Sequence, residues 1–272
     1  MQSEAQLIVA HRGASADAPE NTIAAFRLAW EQGADAAEGD FHLTRDSQVV
    51  CSHDPTTKRL SGVDLRISDS TLDELQKIDV GSWKDPSFRH ERMPTLSDVL
   101  AARPPDKKFY IEIKCESHIV PFLQRILQGS NSPPEHTVFI SFNENVIRSI
   151  KTRLPQYKAY WLVGFDQNKQ DEKWYPPMEH VVATAKRLGA DGVDLNANME
   201  VMTPRAIQLC RQAGLSVHAW TVDDLDTARV LQELGVDSIT TNRPGELRQG
   251  LLKGRVHAAQ RPNAPRAKGA SH

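Results

Sequence analysis

The chain has few cysteines. Cys51, Cys115 and Cys210 are an odd number with no C-x-x-C spacing, which argues against a disulfide framework and a thiolate zinc site and favours a reducing compartment. No apolar run approaches the roughly 20 residues of a membrane-spanning helix, so stable membrane insertion is not expected. Charge of one sign is also lacking: a net charge of −2 gives no general pull toward nucleic acid or an anionic membrane. The first periodic element starts at Leu7, leaving no room for a signal peptide. A cytoplasmic protein is expected, with an exported form that has lost its signal as the alternative. There is no low-complexity tract and no repeat beyond a strand–helix unit. What is present, 39% hydrophobic and 25% charged residues over 272 positions, suffices for a sizeable core in one or two domains.

Strands and helices alternate along the chain. Leu7–Ala10 is a short apolar run closed by the turn His11-Arg12-Gly13. A helix follows from Ile23, with Asn21 suited to cap it and Gly33 to stop it. Ala37–Asp54, AEGDFHLTRDSQVVCSHD, holds strand two. Residues Pro55–Pro94 are polar and turn-rich, with one short helical piece at TLDELQKI, and read as an insertion. Further strands are predicted at Lys107–Lys114, Thr137–Phe142, Lys158–Val163, Ala190–Leu195, Leu215–Trp220 and Val236–Thr241. Helices are predicted at Thr95–Ala102, His118–Gln128, Glu144–Leu154, Met178–Leu188, Pro204–Ala213, Asp224–Leu234 and Pro244–Leu251. GFDQNKQDEKWYPP reads as a polar loop. Eight strands, each followed by a helix, are the number that closes an α/β (β/α)8 TIM barrel. The barrel domain is expected over residues 1–254, including the insertion at 55–94, and residues 255–272 form a tail without periodicity.

In such a barrel the site lies at the carboxyl ends of the strands, and unusual polar residues collect there. Side chains alternate along a strand, so Ala36, Glu38, Asp40 and His42 share one face of strand two, and Tyr110, Glu112 and Lys114 one face of strand three. Glu38, Asp40 and Glu112 would hold one Mg²⁺ or Ca²⁺, or else form a structural salt-bridge cluster. Lys114 is a salt-bridge partner or a phosphate contact. His11 and His53 are the acid–base candidates, because imidazole titrates near neutrality. Arg12 has the donor geometry for a phosphate or a surface ion pair. Trp220 packs on a substrate's carbon skeleton or closes the core. Asn242 and Arg243 follow strand eight. The remaining histidines default to structural or surface roles, with His218, on the face of Trp220, the best further candidate. Gly39, between the two carboxylates, is expected only to lower local stiffness.

The segments His11-Arg12-Gly13, Pro19-Glu20-Asn21-Thr22, Glu38-Gly39-Asp40, His53-Asp54, Met93-Pro94-Thr95-Leu96, Ile111-Glu112-Ile113-Lys114 and His218-Ala219-Trp220-Thr221, in that order, resemble the glycerophosphodiester phosphodiesterase family. The resemblance implies a TIM barrel with a family insertion after strand two. It also implies hydrolysis of small glycerophosphodiesters, such as glycerophosphocholine and glycerophosphoethanolamine, to sn-glycerol 3-phosphate and an alcohol with one divalent cation. By position it puts the acid–base pair on His11 and His53, the metal carboxylates on Glu38, Asp40 and Glu112, and the phosphate or substrate contacts on Arg12, Lys114 and Trp220. The alternatives are a phospholipase D-like enzyme of the same barrel acting on lysophospholipids or sphingolipids, and a silent module that binds a polyol phosphate. Nothing in the sequence sets the head group or the oligomeric state.

Overall fold

A computed structural model describes residues 6–130 and 132–259. Eight parallel strands form the barrel: β1 Leu7–Ala10, β2 Ala36–Leu43, β3 Lys108–Ile113, β4 Thr137–Ser141, β5 Lys158–Val163, β6 Gly192–Asn196, β7 Ser216–Trp220 and β8 Ser238–Thr241. Each pairs with the next, and the ring closes where β1 lies between β8 (Leu7↔Ser238) and β2 (Val9↔Ala36). Eight helices cover the ring: α1 Ile23–Glu31, α2 Leu96–Ala102, α3 Val120–Gly129, α4 Glu144–Arg153, α5 Met178–Leu188, α6 Pro204–Gln212, α7 Leu225–Glu233 and α8 Pro244–Ala259. The last runs past its expected end at Leu251; residues 260–272, most of the expected tail, lie outside the described residues.

Two apolar layers hold this arrangement. Alternation sends Val9, Ala36, Tyr110, Val138, Ile140, Tyr160 and Leu162 into the barrel lumen. It sends Phe41, Phe109, Ile111, Ile113 and Phe139 outward, where they pack with Phe26 of α1 in the larger cluster between barrel and helices. Gly39 belongs to this outer layer. A methyl group there would lie 3.0 Å from Phe26 Cζ, 3.1 Å from Cys51 Sγ and 3.2 Å from Phe109 Cζ. Its role is therefore to admit the edge-to-face Phe26–Phe109 pair, whose centroids are 5.2 Å apart, rather than to loosen the strand.

Three local expectations are corrected. Thr22, not Asn21, caps α1: its hydroxyl accepts from Ala25 N. Val49–Cys51 doubles back as a short antiparallel strand on β2, with Phe41↔Cys51 in register. The polar loop after β5 contains an antiparallel hairpin, Asp166–Gln167 with Trp174–Tyr175.

The insertion after β2 packs Ile67, Leu75 and Met93 around Val50 of the Val49–Cys51 strand. It is tied to the rim by polar bonds. Arg59 reaches Glu20 at 2.8 Å, and Lys84 Nζ donates to Ser15 O at 2.9 Å. The insertion thus fixes the position of His53, which lies at its start.

Candidate active site

The carboxyl ends of the strands surround a cavity of about 290 Å³. Its lining is formed by His11, Arg12, Glu38, His53, Glu112 and Lys114 from the β1–β3 region, and by Ile140, Phe142, Leu162, Asp194 and Trp220 from the β4–β7 region. Both strand-two acids are buried, at 1% exposure for Glu38 and 0% for Asp40, with Glu112 at 7%. One oxygen of each lies within 4.8 Å of the others.

Cations and donors hold these acids together. The turn after β1 places Arg12 at φ 55°, so its N–H donates to Glu38 Oε2 at 2.9 Å. Gly13 follows at φ +82°, where an added Cβ would come within 2.5 Å of the Ala25 carbonyl carbon; only glycine fits this turn. Arg12 Nε stands 3.2 Å from Asp40 Oδ2. Lys114 Nζ is 2.7 Å from Glu112 Oε1 and 3.5 Å from Asp40 Oδ1. Asn21 donates from Nδ2 to Asp40 Oδ2 at 2.8 Å and accepts from Asp40 N at 3.1 Å.

The three acids do not titrate alike. Burial, then the charges of Asp40 and Glu112, push Glu38 well above the usual carboxylate range. Burial, then Asp40, push Glu112 up to about 7. Burial acts upward on Asp40 too, but Arg12, Lys114 and Asn21 outweigh it and hold that carboxyl below its ordinary value. Glu38 Oε1 and Asp40 Oδ1 are buried with no hydrogen-bond partner. With all three acids ionised, as ligation of a cation requires, three carboxylates stand against the two cations Arg12 and Lys114 and leave one net negative charge. A divalent cation would make it one positive charge, which a phosphodiester monoanion would neutralise.

Each histidine has its Nδ1 engaged. Asn242 Nδ2 donates to Asp223 Oδ2 at 2.6 Å, which turns its amide oxygen toward His11 Nδ1 at 2.8 Å. That oxygen can only accept, so the His11 proton sits on Nδ1 and its Nε2 carries the lone pair. Burial, then neighbouring Arg12, lower the His11 pKa. His53 Nδ1 lies 2.8 Å from Asp54 Oδ1, and Arg59 Nε bonds the other Asp54 oxygen at 2.6 Å.

The whole of this arrangement falls inside residues 11–246, which match the model of the glycerophosphoryl diester phosphodiesterase family. The chain belongs to that family. It is 32% identical over 254 residues to the glycerophosphodiester phosphodiesterase of Caldanaerobacter subterraneus, covering 91% of this chain and 98% of that one. It is 27% identical to a Bacillus subtilis glycerophosphodiester phosphodiesterase, covering 88% and 84%. Its fold superposes with a TM-score of 0.79 on an Oleispira antarctica phosphodiesterase in complex with the product sn-glycerol-3-phosphate, at 25% identity, covering 91% of this chain and 97% of that one.

All eight residues singled out from the sequence fall in this one region: seven line the cavity, and Asp40 lies behind it among the acids. Trp220 stacks edge-to-face on Phe142 at 5.4 Å and donates from Nε1 to the Asp194 carbonyl oxygen at 3.1 Å. His218 does not reach the cavity. It lies deeper in the lumen, stacked on Tyr160 at 4.0 Å, with Nδ1 on Ser238 Oγ at 2.7 Å and Nε2 on Ser216 Oγ at 2.9 Å. Sequence reasoning missed four residues as site members: Asn21, Asp54, Asp194 and the orienting role of Asn242. For Asp54 and Asp194 a signal existed, in adjacency to His53 and in strand alternation within ADGVDL.

Proposed function

We propose that this phosphodiesterase hydrolyses small glycerophosphodiesters, glycerophosphocholine and glycerophosphoethanolamine among them, to sn-glycerol 3-phosphate and an alcohol. In this reading Glu38, Asp40 and Glu112 hold one divalent cation, Mg²⁺ or Ca²⁺, and His11 and His53 move the protons. The observation that carries it is the pair of partnerless buried oxygens within a triad beside two oriented imidazoles. Buried carboxylate oxygens without a hydrogen bond are costly unless a ligand compensates them. The oxygen donor set fits a hard cation. When bound, that cation supplies Lewis-acid charge against the phosphoryl oxygens.

The residues of this chain do the rest. Arg12 and Lys114, at the mouth of the triad, bind the phosphate and offset the charge that builds on its oxygens. His11, kept neutral by burial and Arg12, accepts the nucleophile's proton at Nε2. His53 donates from Nε2 to the leaving alkoxide while Asp54 holds its Nδ1 side. The apolar wall and Trp220 take the carbon skeleton and exclude water. Attack by water or by the glycerol 2-hydroxyl places the same demands on these groups, and ³¹P NMR for a transient cyclic phosphate separates the two.

The deciding assay is release of sn-glycerol 3-phosphate from several glycerophosphodiesters, with EDTA and with each metal titrated back. Turnover indifferent to EDTA would reject the metal, and preferential cleavage of lysophosphatidylcholine would favour the phospholipase D-like reading. Among the described residues no helix is long and apolar enough to cross a membrane. The three cysteines are free thiols, and a cytoplasmic setting suits them.

A further inference from the structure

Asp194, on β6, stands apart from the groups used so far. Its side chain is 1% exposed, and neither carboxyl oxygen has a hydrogen-bond partner. It nevertheless lines the catalytic cavity. β6 faces β2 across the eight-strand ring, so Asp194 lies on the wall opposite the strand that carries Glu38 and Asp40.

Its neighbours leave it without a hydrogen bond. Below lie Tyr110, Tyr160 and His218. Tyr160 stacks on the His218 ring, and Ser238 and Ser216 take both ring nitrogens of His218. Beside it, Trp220 Nε1 is spent on the Asp194 main-chain oxygen. Across the cavity, Arg12 is held by Glu20 and Asp40, and Lys114 by Glu112 and Asp40. Asp194 is also outside the group of acids whose oxygens lie within 4.8 Å of one another. The one open direction is the cavity itself, toward a ligand that brings its own donors.

The geometry points to Asp194 as the contact for the hydroxyl groups of the substrate's glycerol, and so as a residue that selects a polyol phosphate over a plain alkyl phosphate. This rests on the glycerophosphodiester reading above. The chemistry agrees on three counts. The walls next to Asp194 are Ile140, Leu162 and Trp220, which suit a carbon skeleton and leave only its hydroxyls to be matched. A carboxyl group can bond two neighbouring hydroxyls at once. A site built around a buried group that needs a hydroxyl discriminates strongly against an analogue without one, because the group is then left unpaired.

The test is calorimetric binding of sn-glycerol 3-phosphate and of propyl phosphate, which lacks both hydroxyls, in magnesium-containing buffer. Wild-type protein should prefer the glycerol compound. Asp194→Leu should weaken sn-glycerol 3-phosphate by about 10- to 100-fold and propyl phosphate by at least tenfold less, bringing the preference toward one. Asp194→Asn, which still hydrogen-bonds, should restore most of the preference; it also serves should the leucine variant not fold. Equal losses for both ligands, or no loss, would overturn the assignment. So would a tenfold drop in magnesium affinity in the asparagine variant, since that would make Asp194 part of the cation site. Hydrolysis by wild-type protein is assayed separately: its absence would refute the activity, while the binding ratio still reports on Asp194.

Discussion

The two halves of the barrel lumen solve opposite problems. In the lower half Tyr110, Tyr160 and His218 pack face and edge, and both ring nitrogens of His218 are matched to Ser216 and Ser238. In the upper half Glu38, Asp40 and Glu112 share one small volume, two of their oxygens have no hydrogen bond, and burial pushes Glu38 and Glu112 toward their neutral forms. The same strands build both halves, so the difference is purely one of side chains two residues apart. A satisfied polar layer stabilises the ring, whereas an unsatisfied one costs stability that only a ligand returns. Stability and function are thus stacked along a single axis.

The contrast is broken most severely at the histidines. His11→Ala and His53→Ala should each lower kcat by about 10²–10⁴-fold with an unchanged circular dichroism spectrum; near-normal turnover in either removes that residue from the mechanism. Next comes the cation. At 100 times its Kd, magnesium or calcium should raise unfolding stability by about 2.7 kcal/mol, and EDTA should cancel the gain. Glu38→Gln should lose this response while melting higher than metal-free wild type, because it relieves the crowding of acids; a lower melting temperature would contradict the account of the upper half.

The lower half is tested by acid. Burial drives the His218 pKa down to about 4 from an ordinary 6.5, so the unfolded chain takes up this proton before the folded one does. The stability contributed by the neutral ring is complete above pH 6.5 and is lost as pH falls toward 4, by up to about 3 kcal/mol. His218→Gln should flatten the stability curve across that window, as followed by urea denaturation. An unchanged slope would show that His218 does not govern acid sensitivity. The smallest effect is expected at Gly39→Ala, which overpacks the outer layer against Phe26 and Phe109 and should cost about 1–3 kcal/mol.

The frame was legible because each barrel strand carries its own signal. Apolar runs such as Leu7–Ala10 and Leu215–Trp220 mark strands, and glycines at 189, 214 and 235 end helices at positive φ. The faces of Glu38, Asp40 and Glu112 followed from alternation alone. Depth did not: Trp220 and His218 share a face, but only the upper one meets the cavity, because alternation gives direction without height. Asn21 was misjudged because its composition suits a cap as well as Thr22 does. Instead it sits at φ 59° and turns both ends of its amide to Asp40. The Asp166–Tyr175 hairpin is too short and polar to show a period. The His11–Asn242 contact joins residues 231 positions apart and has no local signature at all.

That last contact ties the first barrel turn to the order of synthesis. The imidazole that opens the chain is aimed by an amide that emerges from the ribosome only when the eighth strand is finished. On the acid–base role proposed for His11, a polypeptide ending before residue 242 would hold nearly every reactive group and still lack a correctly aimed base, so the enzyme would switch on only once its circle is complete.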